Sequence, residues 1–250
     1  MKHIEKYRVH YHYTDRNFEL KLFYIAKYIQ ETALAAFDLI DGPRRELEEN
    51  NLAFILSKIS FVFEGEIKKF DEISVETWAM LPKTATLIRN YRVYNDTTGI
   101  CAVRAASAWA LININEKTII NPNTLSENFN SRTDGEELGF APVRRIKMPD
   151  ENETASGWEL LFEKEVFYSD IDENMHMNNT VYLDVVQNAL KKAARKDLPT
   201  GKLRSLDLSY NYAAEESDIL SVWGIKINNE IYLRGKIGEV NCFDAKACFE

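Results

Sequence analysis

The feature that most constrains the fold of this chain is an internal repeat, because both halves of its 250 residues follow the same order of patterns. In each half an alternating polar and apolar run, typical of a strand, leads to a Tyr-x-Asp triplet and then into a helical pattern. The predicted strands are residues 7–13 and 163–168, and they end at the triplets 13–15 and 168–170. A repeat of this length indicates a duplicated domain.

Each half contains one predicted long helix. Apolar residues recur at helical spacing over residues 22–37 and again over residues 181–193. When the triplets are aligned, Gln187 lies two residues further into the second half than Gln30 lies into the first. This alignment predicts a two-residue insertion before the second helix. It also pairs Asp170 with Asp15, which favours a structural role for Asp170.

Two predicted hairpins follow the helices. The first joins strands at 87–94 and 101–114 through a turn that contains Gly99, and the second joins 231–237 to 240–249 through Gly238. The predicted class is α+β, with two tandem repeats that each wrap an antiparallel sheet around a long central helix and together form one pseudo-dimeric unit. The predicted domains are residues 1–120 and 159–250, with a polar, turn-rich connecting segment at 121–158.

Composition excludes several classes of protein. The net charge of −8 argues against a general nucleic-acid-binding protein, which needs a basic face. No run approaches the ~20 apolar residues of a membrane span, and residues 1–8 carry no apolar signal segment. The three cysteines fit no metal-binding spacing and are expected to be reduced thiols. We therefore expect a cytoplasmic protein.

The second helical pattern is preceded by an unusually polar segment. Asp172, Glu173, Asn174 and His176 lie within five residues of one another, directly before the predicted helix start. Such residues are also ordinary helix caps, and Asn178 or Thr180 fits that alternative.

Metal or cofactor binding has little support in the sequence. His10 and His12 alternate on one face of the first predicted strand, but the sequence offers no third ligand beside them. No cofactor is predicted.

The segment Asp172-Glu-Asn-Met-His-Met-Asn-Asn179, followed by Tyr182, resembles the signature Asp-x-Asn-x-His-Val-Asn-Asn-x-x-Tyr of acyl-acyl carrier protein thioesterases. Members of that family are double hotdog proteins with the signature at the start of the second central helix. Thr77-Trp78, the Gly99 hairpin and the segment 206–210 also resemble the family. The resemblance implies hydrolysis of fatty acyl-acyl carrier protein, which releases a free fatty acid.

The resemblance also implies roles for single residues. Asp172 would orient its neighbours, Asn174 would contact the substrate carbonyl or the water, and His176 would be the polar catalytic ring. The family has a further Glu three residues after a Tyr on a later strand. Counting from Tyr212 gives Glu215, whereas counting from Tyr210 gives Ala213, so the assignment of the general base stays open between Glu215 and Asp172. Glu173 is an outside candidate and Asn178 a supporting residue. Met177, for the signature's Val, and Glu216, where plant members often have Cys, depart from the family pattern.

These residue types suit the implied reaction. A carboxylate beside an imidazole or a bound water can remove a proton from that water, which is worth about 10²–10⁴-fold in rate. Backbone N–H groups at a helix start are unpaired and can stabilise the oxyanion of the thioester, at about 10²–10³-fold for one donor.

The first half lacks the His, so we expect one active site per chain and an acyl-chain pocket lined by the first half. The predicted lining residues are Leu22, Ile25, Ala26, Ile29 and Phe54. The preferred chain length stays open.

The second helix ends in a basic face. This face is predicted either to dock acyl carrier protein or to be a solvated helix end whose positive charges are favoured by the helix dipole. Its residues are Lys191, Lys192, Arg195 and Lys196. Homodimer formation stays open.

Three rival functions remain. An acyl-CoA thioesterase would use the same chemistry with a different carrier. A hotdog dehydratase fits less well because the first half has no matching His-bearing loop. A non-catalytic acyl-binding protein would keep the fold without turnover.

Overall fold

The structure, a computed structural model, describes residues 2–39, 43–82, 85–125, 136–140, 142, 145–150, 157–194 and 201–250. Its contacts divide the chain into two compact units. One unit consists of Met1–Leu20 and Lys27–Pro142, and the other of Lys21–Ala26 and Val143–Glu250. The predicted domains, residues 1–120 and 159–250, have other bounds than these contact-based units and remain a prediction.

The first unit contains an antiparallel sheet in the order β1-β3-β4-β5-β2, with the short β6 paired to β5. The helices that begin in this half of the sequence are α1 and α2. The elements are β1 (His3–Arg8), α1 (Leu22–Asp38), α2 (Pro43–Glu49), β2 (Leu52–Phe63), β3 (Glu72–Ala79), β4 (Thr86–Asn95), β5 (Ile100–Asn113) and β6 (Thr118–Ile120).

The second unit repeats that arrangement, with an antiparallel sheet in the order β7-β9-β10-β11-β8 and one long helix, α3. The elements are β7 (Glu159–Glu165), α3 (Asn179–Ala194), β8 (Leu203–Tyr210), β9 (Ile219–Ile227), β10 (Glu230–Ile237) and β11 (Val240–Phe249). Element by element, this order matches that of the first unit. The predicted order of one strand, one long helix and three or four antiparallel strands is confirmed in both halves, with four strands after the helix in each.

Both predicted hairpins are confirmed as well. Strands β4 and β5 are joined through Gly99 at a φ of 74°, and β10 and β11 through Gly238 at a φ of 55°. Glycine suits these turns because it adopts positive φ without the steric cost of a Cβ atom.

The predicted strands at 7–13 and 163–168 are wrong at their C-terminal ends. Strand pairing stops at Arg8 in the first half and at Glu165 in the second. Each segment then forms a 3₁₀ turn, at Tyr11–Tyr13 and at Tyr168–Asp170. The alternation of side chains continues past these points. It is a property of the sequence alone, because Tyr11, at one of its apolar positions, is exposed in the first turn, and Tyr168 is exposed in the second.

Each helix buries an apolar face. In α3, Tyr182 packs edge-on against Tyr210 and Phe243, with ring centroids 5.4 and 5.8 Å apart. The other buried residues of that helix include Val181, Leu183, Val185, Val186, Ala189 and Leu190. In the first unit, Tyr28 of α1 packs on Tyr7 of β1, at 4.5 Å between ring centroids. The apolar periodicity therefore predicted the buried faces correctly.

Pro43 begins α2, a short helix that the apolar periodicity did not predict. In the sequence, a Gly-Pro pair such as Gly42-Pro43 is typical of the end of a helix, here α1. Gly42 lies outside the described residues. Proline is favoured at the first position of a helix, where its missing N–H has no intrahelical partner to lose. Leu47 of α2 packs with Leu87 and Leu111 of the first sheet.

Parts of the connecting segment pack on both sheets. In the first unit, the Trp78 Nε1–H donates to the Glu136 carbonyl oxygen at 2.8 Å, and Leu138 packs against Trp78. In the second unit, Ile146 packs with Ile225 and Tyr232.

Candidate active site

The polar segment before α3 forms a tight hairpin-like turn. Ile171 and Met177 form an isolated antiparallel bridge, and the Asp172 N–H donates to the His176 carbonyl oxygen at 3.0 Å. Inside the turn, Met175 has a φ of 64°, a left-handed conformation that few residue types other than glycine adopt. The turn exposes Glu173 and Asn174 to solvent, whereas Asp172 and His176 are half-buried.

Both carboxylate oxygens of Asp172 accept hydrogen bonds from the turn. Oδ1 accepts the Asn174 N–H at 2.9 Å, and Oδ2 accepts Nδ2 of Asn178 at 3.3 Å. The Asp172 side chain thus links the middle of the turn to the residue that precedes the helix. This contact pattern suits a group that orients its neighbours.

Asn178 is the N-cap of α3. Its Oδ1 accepts the Thr180 N–H at 2.9 Å and the Thr180 hydroxyl at 2.7 Å. The capping alternative raised from the sequence is therefore correct for Asn178. The same side chain also contacts Asp172, so its two ends have different roles.

The backbone N–H groups at the helix start differ in their partners. The N–H groups of Met177 and Asn178 donate to the Ala214 and Asp170 carbonyl oxygens at 2.8 and 2.9 Å. Among the described residues, no group accepts the N–H of Asn179. Amides at the first turn of a helix lack intrahelical acceptors and point outward.

The loop after β8 lies beside this turn. Because the Met177 N–H donates to the Ala214 carbonyl oxygen, the backbone at 176–177 neighbours the backbone at 214–215. The Ala214 N–H in turn donates to the hydroxyl of Tyr182 at 3.1 Å, and the Glu215 N–H donates to Oδ2 of Asp218 at 2.8 Å. The structure thus brings together the two segments that carry His176 and Glu215, far apart in sequence.

The choice between the two tyrosine registers stays open. Tyr210 is the last residue of β8, and its hydroxyl donates to the Asn179 carbonyl oxygen at 3.1 Å. Tyr212 lies beyond the strand and is exposed. The residues reached by the two counts, Ala213 and Glu215, flank the buried Ala214, and both are exposed.

Buried groups behind the site stay neutral at ordinary pH. Burial raises the pKa of Tyr182 to about 12 and also raises the pKa of Tyr210. Burial likewise raises the pKa of the Cys242 thiol to about 11. The phenols therefore remain protonated donors over the working range of an ordinary enzyme.

The first unit contains a counterpart of the turn, which corrects the sequence alignment. The Asp15 N–H donates to the Glu19 carbonyl oxygen, Asp15 Oδ1 accepts the Asn17 N–H, and Phe18 has a φ of 65°. Asp15 therefore corresponds to Asp172 and not to Asp170. The predicted two-residue insertion is wrong, because the spacing from 3₁₀ turn to helix is the same in both halves. The two Tyr-x-Asp triplets occupy different positions of the turn, since the first ends at Asp15 and the second ends at Asp170, two residues before Asp172.

This correspondence identifies what the first half has in place of the candidate catalytic groups. Glu19 stands at the position of His176. Lys68 stands at the position of Glu215, because both amides donate to the Asp that follows three residues later, Asp71 or Asp218. The first half thus keeps the turn and has different side chains at these two positions.

The predicted acyl-pocket residues divide between the two units. Leu22, Ile25 and Ala26 are buried in the first turn of α1, within the second unit, where Oε1 of Gln187 accepts the Leu22 N–H at 2.9 Å. In the first unit, Ile29 is buried, and Phe54 is half-buried against the cluster that contains Leu47. Their role as pocket lining stays a prediction.

The predicted docking face is only partly described. Lys191 and Lys192 are exposed in the last turn of α3, whereas Arg195 and Lys196 lie outside the described residues. Lys192 Nζ donates to the Leu161 carbonyl oxygen at 3.3 Å and lies over the Phe162 ring. Lys191 is therefore the cleaner probe of a charge effect.

His12 lies in the first 3₁₀ turn and His10 directly precedes it, with ring centroids 6.1 Å apart. Within the described parts of the chain, no three His, Cys, Asp or Glu side chains are grouped to hold a metal ion. None of the helices in those parts is long and apolar enough to cross a membrane.

Comparison with known proteins identifies the family. A model of the acyl-ACP thioesterase N-terminal domain matches residues 1–124, and a model of the acyl-ACP thioesterase C-terminal domain matches residues 158–236. The chain belongs to the acyl-ACP thioesterase family. The resemblance stated from the residue pattern is confirmed.

Curated relatives of this acyl-ACP thioesterase family member include two plant proteins. The chain is 22% identical over 206 residues to a chloroplastic palmitoyl-acyl carrier protein thioesterase of Gossypium hirsutum, covering 80% of this chain and 48% of the relative. It is 24% identical over 233 residues to the corresponding Arabidopsis thaliana protein, covering 87% of this chain and 53% of the relative. The chain thus spans about half the length of these relatives.

Solved structures in the same family share the fold. An acyl-ACP thioesterase from Bacteroides thetaiotaomicron matches with a TM-score of 0.84 at 21% identity, covering 100% of this chain and 98% of the other. The 12:0-ACP thioesterase from Umbellularia californica matches with a TM-score of 0.83 at 13% identity, covering 100% and 94%. The predicted α+β double hotdog fold is confirmed.

Proposed function

We propose that this protein hydrolyses the thioester of fatty acyl-acyl carrier protein and releases the free fatty acid and the carrier thiol. The observation that carries the proposal is the hydrogen bond from Met177 to Ala214, which joins the turn of Asp172, Asn174 and His176 to the loop of Glu215. Family membership supports the same reaction class.

In the proposed reaction, a water attacks the thioester carbonyl carbon while a carboxylate removes its proton. Glu215 is the first candidate base because it is exposed and its side chain is free of the turn's internal hydrogen bonds, whereas both oxygens of Asp172 are engaged. His176 and Asn174 hold the water or the carbonyl group. The C–S bond then breaks, and the proton passes to the departing thiolate.

The oxyanion needs a donor, and the Asn179 N–H is the proposed one. Its neighbours along the chain, the N–H groups of Asn178 and Thr180, already donate within the protein. A preorganised amide of this kind stabilises the charge on the carbonyl oxygen as it develops, with the positive end of the helix dipole behind it.

The carrier is proposed to be acyl carrier protein, docked at Lys191 and Lys192. Both side chains are exposed in the last turn of α3, in a protein whose net charge is −8. Such contacts mainly accelerate the association of an acidic partner and weaken with salt. An acyl-CoA thioesterase is the second candidate, because the chemistry of the turn does not depend on the carrier.

The test is release of free thiol from acyl-carrier substrates of several chain lengths, beside the matching acyl-CoA series. We expect higher kcat/KM on the carrier substrates and loss of release in His176→Ala. Release that survives in His176→Ala contradicts the site, and absence of release in the wild-type protein identifies an acyl-binding protein without turnover. A higher kcat/KM on the acyl-CoA series would establish the second candidate.

A further inference from the structure

The two halves of the chain build the same backbone framework around the turn and its neighbouring loop. Corresponding hydrogen bonds join Leu20 N–H to the Ile67 carbonyl oxygen and Met177 N–H to the Ala214 carbonyl oxygen, both at 2.8 Å. Three further backbone N–H groups have matching acceptors in the two halves. In the first half Val9 donates to the Asp71 carbonyl oxygen, Phe70 to the Val9 carbonyl oxygen and Lys68 to the Asp71 carboxylate. In the second half the corresponding donors are Val166, to the Asp218 carbonyl oxygen, Ser217, to the Val166 carbonyl oxygen, and Glu215, to the Asp218 carboxylate. The two loops also share a left-handed backbone conformation, with φ values of 70° at Phe70 and 73° at Ser217.

The second half has a side-chain contact at this loop that the first half lacks. The Ala214 N–H donates to the hydroxyl of Tyr182 at 3.1 Å, and that hydroxyl lies 3.5 Å from the Tyr212 carbonyl oxygen. At the position in α1 that corresponds to Tyr182 stands Ile25, which has no polar side-chain atom. The first half therefore forms its loop without a hydroxyl at this place. Its Lys69 N–H instead joins the loop to the turn by donating to the Phe18 carbonyl oxygen at 3.1 Å, whereas no such bond joins Glu216 to Met175 among the described residues.

The Tyr182 hydroxyl is held rigidly. The residue is 2% exposed, and its ring is fixed edge-on between Tyr210 and Phe243. A buried side chain in one rotamer defines the position of its polar end closely, because the packed neighbours leave no alternative. The loop residue Ala214 is thus fixed on both sides, with its oxygen on Met177 and its nitrogen on Tyr182.

We propose that Tyr182 is a positioning residue that holds the loop of residues 211–218 so that Glu215 stays beside the turn of His176. The inference rests on the proposed hydrolysis for its catalytic consequence, although the contact itself does not depend on the reaction. Tyr182 touches no reacting atom and acts through the backbone of Ala214. The half that carries His176 and Glu215 has this hydroxyl, and the half that carries Glu19 and Lys68 at those positions does not.

The test combines hydrogen exchange with kinetics on Tyr182→Phe, which keeps the ring and removes the hydroxyl. We expect faster amide exchange in residues 211–218, while the corresponding loop at 64–71 keeps its wild-type exchange. We expect kcat to fall about 10- to 100-fold with little change in KM, the pattern of a misplaced catalytic group. Tyr210→Phe is the matched control, because its hydroxyl contacts Asn179 and not the loop, and there exchange at 211–218 should stay at the wild-type rate.

Two outcomes overturn the inference. Unchanged exchange at 211–218 in Tyr182→Phe shows that the hydroxyl does not hold the loop. Faster exchange with unchanged kcat shows that holding the loop does not serve the reaction. The same conclusion follows if kcat/KM falls only because KM rises. Absence of thiol release in the wild-type protein is a failure of the proposed function, and it is seen in a different measurement from the exchange of the loop.

Discussion

The N–H of Met177 donates to the carbonyl oxygen of Ala214 at 2.8 Å, and this contact joins the signature turn to the loop after β8. The turn carries Asp172, Asn174 and His176, and the loop carries Glu215. Each segment alone is a polar turn of ordinary composition. Their juxtaposition brings together the backbone segments that carry a carboxylate, an imidazole and a helix-start amide, the groups that the proposed water activation and oxyanion stabilisation would use.

The identity of the general base is tested by removing one charge at a time. We expect Glu215→Gln to lower kcat by about 10²-fold or more, because a positioned base contributes about 10²–10⁴-fold. The control is Glu216→Gln, which neutralises the exposed neighbouring carboxylate and should retain activity. Near-normal kcat in Glu215→Gln, together with an inactive Asp172→Asn, would assign the base to Asp172.

Two substitutions of Asn178 should distinguish its role as helix cap from its contact with Asp172. Asn178→Ala removes the N-cap of α3 and should lower the free energy of unfolding by about 1 kcal/mol. Asn178→Ser keeps a capping oxygen but loses the contact with Asp172, so stability should stay near wild type while kcat falls. Urea denaturation and thiol release measure the two effects, and equal kcat in the Asn178→Ser variant and the wild-type protein would dismiss a role for the Asp172 contact.

Charge reversal at Lys191 tests the docking face. We expect Lys191→Glu to raise KM for acyl carrier protein substrates, with an effect that shrinks as salt is added, and to leave acyl-CoA unaffected. Lys6→Glu, an exposed reversal in β1, is the control for a general change of net charge. An equal rise in KM for both substrate classes would argue against carrier docking at this face.

Gly235 should not tolerate a side chain. A Cβ atom at this position of β10 would lie 2.1 Å from Cε1 of Phe243, the ring that packs against Tyr182. We expect Gly235→Ala to lower the free energy of unfolding by about 1–3 kcal/mol, the usual cost of overpacking. In the double mutant with Phe243→Ala the two losses should be less than additive, because the clash disappears with the ring. Full additivity in urea denaturation would contradict the clash.

Stability should fall at high pH. Burial raises the pKa of Tyr182 from 10.0 to about 12, so the unfolded chain releases this proton first. The contribution of the neutral phenol is complete below pH 10 and is lost as the pH rises to about 12. A shift of this size corresponds to about 2.7 kcal/mol. Urea titrations across that window should show a smaller loss in Tyr182→Phe than in wild type, and equal slopes would contradict the assignment to this phenol.

Local patterns predicted much of the fold correctly. The apolar spacing of α1 and α3 identified their buried faces, and Gly99 and Gly238 marked the hairpins, because helical periodicity and positive φ are properties of short segments. Predictions that depended on another segment were less accurate. The ends of β1 and β7 were wrong because pairing stops where the partner strand stops, and α2 was not predicted because Pro43 looked like the end of a helix.

The candidate site divides in the same way. The signature from Asp172 to Tyr182 could be recognised in the sequence, since its residues lie on one turn and the start of one helix. The correspondence of Asp15 with Asp172 could not be read reliably from the Tyr-x-Asp triplets, because those triplets occur at different positions of the turn. The contact from Tyr182 to Ala214 left no sequence signal other than a tyrosine where the first half has Ile25.

By itself, the sequence determined that the chain is a duplicated strand–helix–sheet unit and that its second copy carries acid–base groups at a helix start. These are consequences of side-chain order along one segment. Only the tertiary structure decided which loop faces that helix start, which of its amides have acceptors within the protein, and that a buried phenol contacts Ala214. Those facts depend on hydrogen bonds between segments that are distant in sequence, and nothing in either segment specifies its partner until the sheet and helix pack together.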